Sequence, residues 1–184
     1  VDDEQAEAVR ADYPPILKPG FLPLSKLKVH GWFEELVHDL QSPQLARILS
    51  EKLSIDLTDK ARTTMVRKLS KAGDGRIHNG HVREACTMFI YLNDNWDLAE
   101  GGAIRALNGS QDIEDFAEEI SPIAGNVFAF VHSGSSWHGH LPFEGERYVV
   151  QTTFLTYSGE EGAGEDQAGL RGLFSKLNPF GPRN

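Results

Sequence analysis

Two histidines carry the clearest chemical signal in the sequence, because each follows a predicted strand and is surrounded by glycine and other small residues. They are His78, in the run 73–80, and His138, in the run 135–140. A metal ion must approach its ligand closely, and glycine permits that approach. Imidazole nitrogen binds iron, zinc, copper or nickel, and two histidines from distant strands suit an iron centre that activates oxygen. The spacing alone does not choose the metal.

An arginine completes the candidate site. Arg147 lies nine positions after His138 at the start of a predicted strand, and its planar guanidinium can bind a carboxylate through two hydrogen bonds. The alternative is a surface residue paired with Glu144 or Glu146. The two histidines favour the carboxylate-binding interpretation.

The composition is that of one acidic domain. A chain of 184 residues with 40% hydrophobic residues can bury a single core. The net charge of −9 argues against a DNA or RNA partner, since nucleic-acid affinity depends on Lys and Arg. No run approaches the roughly 20 apolar residues that span a bilayer, so no membrane partner is expected. A homodimer is permitted but not required.

The lone cysteine, Cys86, lies in the apolar run 85–92 and has no internal disulfide partner. A reducing cytoplasm fits this cysteine usage. The expected role of Cys86 is that of a small buried hydrophobic residue rather than a nucleophile.

The elements that must position the candidate site begin with helices. Apolar residues at a period near 3.6 predict one amphipathic helix over about 24–40 and a second over about 44–53. The domain is predicted to end at residue 157. Residues 158–184 are predicted to form an acidic, glycine-rich linker followed by a short helix whose apolar face is Leu170, Leu173, Phe174 and Leu177.

From residue 63 onward, short apolar and β-branched runs alternate with turn-forming residues. This pattern predicts a mostly β domain with N-terminal helices, an antiparallel sandwich or jelly-roll barrel braced on one face by the helices. The run 113–120 could instead form one or two helical turns inside a loop. The predicted strands are 63–69, 76–78, 86–92, 103–107, 126–131 and 148–157.

Over about residues 55–154 the sequence resembles the prolyl-4-hydroxylase-like branch of the iron(II) and 2-oxoglutarate-dependent oxygenases. The order and spacing of several short motifs carry the resemblance. These motifs are Asp74-Gly75-Arg76-Ile77-His78, Tyr91-Leu92-Asn93, Trp96, Gly101-Gly102, Pro122, Gly125, Trp137-His138-Gly139 and Arg147.

The resemblance implies a double-stranded β-helix with Fe(II) and 2-oxoglutarate as cofactors. It implies that His78 and His138 bind the iron and that Arg147 pairs with the distal carboxylate of 2-oxoglutarate. Tyr91 would hydrogen-bond that carboxylate, and Ile104 would line the same pocket.

One position departs from the family pattern. The family motif is His-X-Asp, and its carboxylate is the third protein ligand of the iron. In this sequence Gly80 occupies the place of the Asp, which removes one negative charge and one oxygen ligand. Gly80 is therefore the position on which the chemistry is expected to depend.

Several explanations of Gly80 remain open at the level of sequence. The related radical halogenases look like hydroxylases whose Asp is replaced by Ala or Gly, with chloride bound to the iron. Gly80 could instead be a change introduced into a hydroxylase. Water or another carboxylate could fill the site, although Asp74 and Glu84 look poorly placed for that role. A disabled enzyme that keeps the fold as a binding module is a further alternative.

Two other functional classes compete with an oxygenase. A zinc hydrolase would use His78, His138 and a third ligand such as His81 or His140. A cupin-like binding barrel would share the all-β frame but would leave Arg147 without a purpose. The substrate is not readable, and a prolyl residue, a free amino acid or a small metabolite all fit.

Overall fold

A computed structural model describes residues 3–158, in which three helices flank two antiparallel sheets. The predicted helix over 44–53 is confirmed. The predicted helix over 24–40 is wrong in its first half, because the chain is irregular between Leu27 and His30 and an α-helix begins only at Gly31. The helices are Asp3–Ala11 (α1), Gly31–Gln41 (α2) and Pro43–Leu53 (α3), with 3-10 helices at Leu24–Lys26 and Leu98–Glu100.

Capping by side-chain oxygens explains where α2 and α3 begin. A carboxylate oxygen of Asp12 accepts a hydrogen bond at 2.7 Å from the backbone N–H of Trp32, in the first turn of α2. The hydroxyl of Ser42 accepts one at 3.2 Å from the backbone N–H of Leu45, in the first turn of α3. Each bond satisfies a donor that the helix itself leaves without a partner.

The strands form a five-stranded sheet in the order β1-β2-β8-β3-β6 and a three-stranded sheet in the order β5-β4-β7. All neighbouring pairs are antiparallel. The predicted fold class, a mostly β jelly roll with N-terminal helices, is confirmed. The strands are Leu22–Pro23 (β1), Lys60–Ser70 (β2), Glu84–Tyr91 (β3), Ile104–Leu107 (β4), Phe116–Ile120 (β5), Val127–Val131 (β6), His138–His140 (β7) and Gly145–Ser158 (β8).

Two local predictions need correction. The run 113–120 does not form helical turns, because Phe116–Ile120 pairs with Ile104–Leu107 and the sheet satisfies its backbone groups. The run 76–78 is not a strand, and only His78 pairs, through an isolated bridge to His138.

The central strand β8 separates two sets of side chains, because successive residues of a strand point to opposite faces. Val150 and Phe154 pack on the side of the helices, in a cluster that includes Phe33. Val149 packs in a second cluster with residues of β3 and β4. Arg147 lies two residues before Val149 and therefore shares its face, toward the smaller sheet.

No helix within residues 3–158 is long and apolar enough to cross a membrane. The predicted linker and the apolar helix face formed by Leu170, Leu173, Phe174 and Leu177 lie in 159–184, outside the described residues.

Candidate active site

The structure brings His78 and His138 together from distant parts of the chain. Their peptide groups form a two-residue antiparallel bridge, with N to O distances of 3.0 and 2.9 Å. The two imidazole rings are 4.1 Å apart between centroids. His138 is buried and lies on β7. Two imidazoles on one wall of a cavity are a suitable start for a metal site.

Both imidazoles are held in the neutral form that binds metals. Burial, reinforced by the neighbouring His78, lowers the pKa of His138 to about 3. Burial, with a smaller effect of His132, lowers the pKa of His78. The Nδ1–H of His138 donates to the carbonyl of Ser136 at 2.9 Å, so the lone pair of the neutral ring is on Nε2.

Arg147 and Tyr91 form the anion-binding end of the site. The register of β3 on β8 aligns Tyr91 with Val149, so Tyr91 and Arg147 come close on the inner face. The guanidinium carbon of Arg147 is 5.6 Å from the centre of the Tyr91 ring. Burial raises the pKa of Tyr91 to about 12, which keeps its hydroxyl protonated as a hydrogen-bond donor.

Two buried donors at this end, Nε of Arg147 and the hydroxyl of Tyr91, make no hydrogen bond of good geometry within residues 3–158, although the two side chains interact with each other. A buried donor without a partner is costly, and a carboxylate is the acceptor that a guanidinium binds best. The donor set therefore fits a small keto-diacid whose far carboxylate reaches Arg147. Tyr91 is fully buried beside the guanidinium rather than on the cavity wall.

A second buried arginine, Arg67, was missed by the sequence analysis. β2 pairs with β8 so that Arg67 aligns with Val149 on the side opposite Tyr91. Burial, with the like charge of Arg147, lowers the pKa of Arg67 to about 10. Asp74 lies 3.5 Å from this guanidinium and offsets part of its charge.

Ile104 and His140 lie on the opposite wall. They are direct partners in the pairing of β4 with β7, so both side chains point to the same face. Burial, followed by the charge of Arg147, lowers the pKa of His140 to about 3. The Nδ1–H of His140 donates to the carbonyl of Leu141 at 2.8 Å.

The alternative zinc site needs a third ligand such as His140 or His81. No three His, Cys, Asp or Glu side chains converge on a common metal position in the described part of the chain.

Gly80 lies at the edge of the same site, but the space beside it is filled. Its backbone has φ +82°, and a Cβ built there would be 2.2 Å from the ring of His132 and 2.7 Å from a carboxylate oxygen of Glu84. The side chain of Glu84 lies against Gly80, although no three His, Cys, Asp or Glu side chains of residues 3–158 converge on one metal position. Asp74, the other carboxylate considered, is paired with Arg67 instead.

One cavity of about 280 Å³ unites most of these groups. Five of the six residues chosen from the sequence line its wall: His78, Gly80, Ile104, His138 and Arg147. The wall also contains residues that the sequence analysis did not assign to the site, namely Arg67, Glu84, His132, His140 and Gln151.

Comparisons with known proteins identify the family and the fold. The family model of the 2OG-Fe(II) oxygenase superfamily matches residues 64–155. No curated protein sequence gives a significant match. A prolyl-4-hydroxylase from Pseudomonas putida superposes with a TM-score of 0.62 at 17% identity, over 86% of this chain and 89% of that chain.

Two further solved structures share the fold. A prolyl 4-hydroxylase from Phytophthora capsici has a TM-score of 0.51 at 19% identity, over 95% of this chain but only 62% of its own. Iron-bound HygX from Streptomyces hygroscopicus has a TM-score of 0.56 at 11% identity, over 84% of this chain and 78% of its own. At such identities the likeness concerns the fold, whereas the family model covers half of the sequence. The chain therefore belongs to the 2-oxoglutarate and iron(II)-dependent oxygenase superfamily and is an enzyme of that class.

Proposed function

We propose that this enzyme hydroxylates an unactivated C–H bond, using Fe(II) held by His78 and His138 and 2-oxoglutarate held by Arg147. The observation that carries the proposal is the placement of two neutral, adjacent imidazoles in one cavity with a buried guanidinium whose Nε lacks a protein partner. The overall reaction converts 2-oxoglutarate, dioxygen and R–H into succinate, carbon dioxide and R–OH.

The chain's own residues bind and orient the reactants. Arg147 would pair with the distal carboxylate, the Tyr91 hydroxyl would donate a hydrogen bond at that end, and Ile104 would pack against the carbon chain of the keto-diacid. Bound iron would supply the activation of dioxygen. Arg67 adds positive charge to the same cavity, which favours a dianion over a neutral ligand.

A test is anaerobic titration of the purified chain with Fe(II) and then with 2-oxoglutarate. A visible charge-transfer band between iron and the keto acid is expected only if both bind in one site. A zinc hydrolase or a barrel without a metal gives no such band. A band that survives unchanged in both His78→Ala and His138→Ala contradicts the proposed ligands.

Halogenation is the second candidate, and Gly80 is the observation in its favour. In that reaction, chloride held at the iron in place of the missing carboxylate would be transferred to the substrate carbon. We prefer hydroxylation because the side of Gly80 is occupied by His132 and Glu84, so a chloride there would have to displace them. The close fit of His132 against Gly80 also favours a glycine that belongs to this fold over an introduced one.

Halide dependence separates the two reactions. If hydroxylation is correct, 2-oxoglutarate consumption is unaffected by replacing chloride with acetate, and bromide gives no brominated product. Stimulation of turnover by halide together with a halogenated product would establish the halogenase. A chain that binds iron and 2-oxoglutarate but never consumes 2-oxoglutarate would be a binding module.

We propose only the chemical class of the substrate. Two of the similar structures are prolyl hydroxylases, which makes a prolyl residue the first substrate to test, followed by free amino acids and small metabolites. A cytoplasmic location rests on cysteine usage alone, and a homodimer stays a prediction.

A further inference from the structure

The carboxylate that the family motif places two residues after the first histidine is missing here, yet the cavity contains another. Glu84 is the first residue of β3 and is 5% exposed. It lines the same cavity as His78 and His138. Of the described residues 3–158, it is the only Glu that lines the cavity, and the one Asp there, Asp74, is paired with Arg67.

Glu84 is a buried carboxyl side chain whose one ion-pair partner among residues 3–158 is a histidine. Its Oε2 accepts a hydrogen bond from the backbone N–H of His81 at 3.0 Å and lies 3.3 Å from Nε2 of His132. Among residues 3–158, His132 is its one ion-pair partner, and no Lys or Arg side chain pairs with it. A carboxyl group buried without a Lys or Arg partner is costly to ionise unless another cation compensates it.

His132 is itself held firmly in place. Its Nε2 is 2.9 Å from the hydroxyl of Thr87, and its Nδ1 is 3.3 Å from the carbonyl of Asn79. The ring fills the space in which a side chain at position 80 would otherwise lie. Gly80, His132 and Glu84 therefore form one packed unit, in which the small residue at 80 makes room for the other two.

We propose that Glu84 supplies the carboxylate ligand of the metal site, with His78 and His138 as its partners, and that His132 is a positioning residue for Glu84. This inference rests on the proposed function. Two histidines and one carboxylate are the ligand set that Fe(II) takes in non-haem oxygenases, so Glu84 restores the oxygen ligand and the charge that Gly80 lacks.

The three proposed ligands do not yet share a common metal position. Since no three His, Cys, Asp or Glu side chains of residues 3–158 converge on one point, the Glu84 carboxylate must shift toward the two imidazoles when the metal binds, while Oε2 keeps its contact with His132. The proposal therefore predicts a clear difference between the two residues. Loss of Glu84 removes a ligand, whereas loss of His132 removes only the contact that orients it.

The test measures Co(II) binding without turnover, by calorimetry and by the visible spectrum of bound Co(II). The variants are Glu84→Gln, His132→Asn and His78→Ala, with Glu144→Gln as the control because Glu144 is an exposed carboxylate on the loop before β8. We expect Glu84→Gln to weaken Co(II) binding by more than about 100-fold, since removing even a residue outside the ligand set costs 10–100-fold. His132→Asn should weaken it by about 10-fold, and Glu144→Gln should leave it unchanged.

Thermal unfolding checks that each variant is folded. Without metal, Glu84→Gln should melt no lower than the wild type, because a neutral amide replaces an incompletely compensated buried charge. With Co(II), the wild type should gain several degrees and Glu84→Gln should gain little. A purely structural Glu84 would instead lower the melting temperature without metal and leave the gain from Co(II) intact.

The outcomes separate the inference from the function on which it rests. If Glu84→Gln binds Co(II) as tightly as the wild type while His78→Ala does not bind, Glu84 is not a ligand but the two-histidine site stands. If His132→Asn loses more affinity than Glu84→Gln, the assigned roles are overturned. If His78→Ala binds Co(II) like the wild type, the proposed metal site itself is wrong.

Discussion

The peptide groups of His78 and His138 hydrogen-bond to each other in both directions, at N to O distances of 3.0 and 2.9 Å. The spacing of the two imidazoles is therefore fixed by backbone pairing as well as by side-chain packing. A substitution that separates the segment containing His78 from β7 should therefore move the two imidazoles apart, even though every candidate ligand is retained.

Gly139→Ala tests this dependence on backbone pairing. A Cβ at Gly139 would lie 2.9 Å from the carbonyl oxygen of Gly75 and 3.3 Å from the Cα of Ile77, in the segment that contains His78. We expect a loss of stability of about 1–3 kcal/mol and Co(II) binding weakened by about 10-fold or more, measured by denaturant unfolding and calorimetry. Gly109→Ala is the matched control, since a Cβ there meets nothing within 4 Å. Unchanged metal binding in Gly139→Ala would show that the bridge does not set the spacing.

Arg147→Lys should weaken 2-oxoglutarate binding strongly although it keeps the charge. Arg147 is buried, and a lysine ammonium cannot reproduce two parallel hydrogen bonds to a carboxylate. A loss of about 100-fold is expected, equal to roughly 3 kcal/mol. The measurement is the dissociation constant of 2-oxoglutarate in the presence of Mn(II). Arg47→Lys, at an exposed position on α3, serves as control. Equal affinities in the two variants would remove Arg147 from the cofactor site.

Tyr91→Phe separates binding from stability. The buried hydroxyl of Tyr91 makes no hydrogen bond of good geometry within residues 3–158 and interacts only with the Arg147 guanidinium, so its removal should cost little stability in the absence of ligand. The same hydroxyl is proposed to donate to 2-oxoglutarate, and its loss should weaken that affinity by about 10-fold, as for one hydrogen bond to a charged acceptor. Unfolding curves and 2-oxoglutarate titrations check the two halves. A destabilised variant with normal affinity would indicate a structural role.

Three strands of the large sheet, β2, β3 and β8, could be predicted because they consist mainly of β-branched and apolar residues bounded by turns. The sequence of β5 does not identify it as a strand, because its Glu-rich residues also suit a helix. Only pairing with β4 fixes its extended conformation. β7 was missed since three residues are too few to show a period of two.

Some residues of the candidate site could likewise be predicted from the sequence, and others could not. His78, His138 and Arg147 could be selected because local sequence surrounds the histidines with small residues and places the arginine at a strand start. In the sequence Glu84 looks poorly placed and His132 carries no signal, because the two side chains come together only when β3 pairs with β6 and the chain beyond β6 returns to Gly80. Arg67 carries no motif, and only the register of β2 on β8 brings it close to Arg147.

Cys86 is expected to be inert in the folded chain. It is fully buried, and burial raises the pKa of its thiol to about 11. At pH 8 about one thiol in a thousand would then be ionised, and the thiolate is the reactive form. Reaction with a thiol reagent should be slow at pH 8 and should become rapid in denaturant. Rapid modification of the native chain would contradict the structural role of Cys86.

The packing of His132 against Gly80 is testable by a double-mutant cycle on stability, measured without metal. Gly80→Ala alone should cost about 2–4 kcal/mol, because alanine is strained at φ +82° and its Cβ would overlap the His132 ring at 2.2 Å. In the His132→Ala background the overlap with the ring is removed, while the backbone strain and the 2.7 Å contact with the Glu84 carboxylate persist, so the same change should cost less by about 1 kcal/mol or more.

The cycle also bears on why this chain lacks the Asp of the family motif. Gly80→Asp alone is expected to destabilise the fold and not to restore a ligand, since its side chain would overlap the His132 ring. Additive costs in the cycle would mean that His132 yields easily, and position 80 could then accept an Asp. A strong coupling would mean that His132 excludes the family's carboxylate, so that any oxygen ligand must come from elsewhere on the cavity wall.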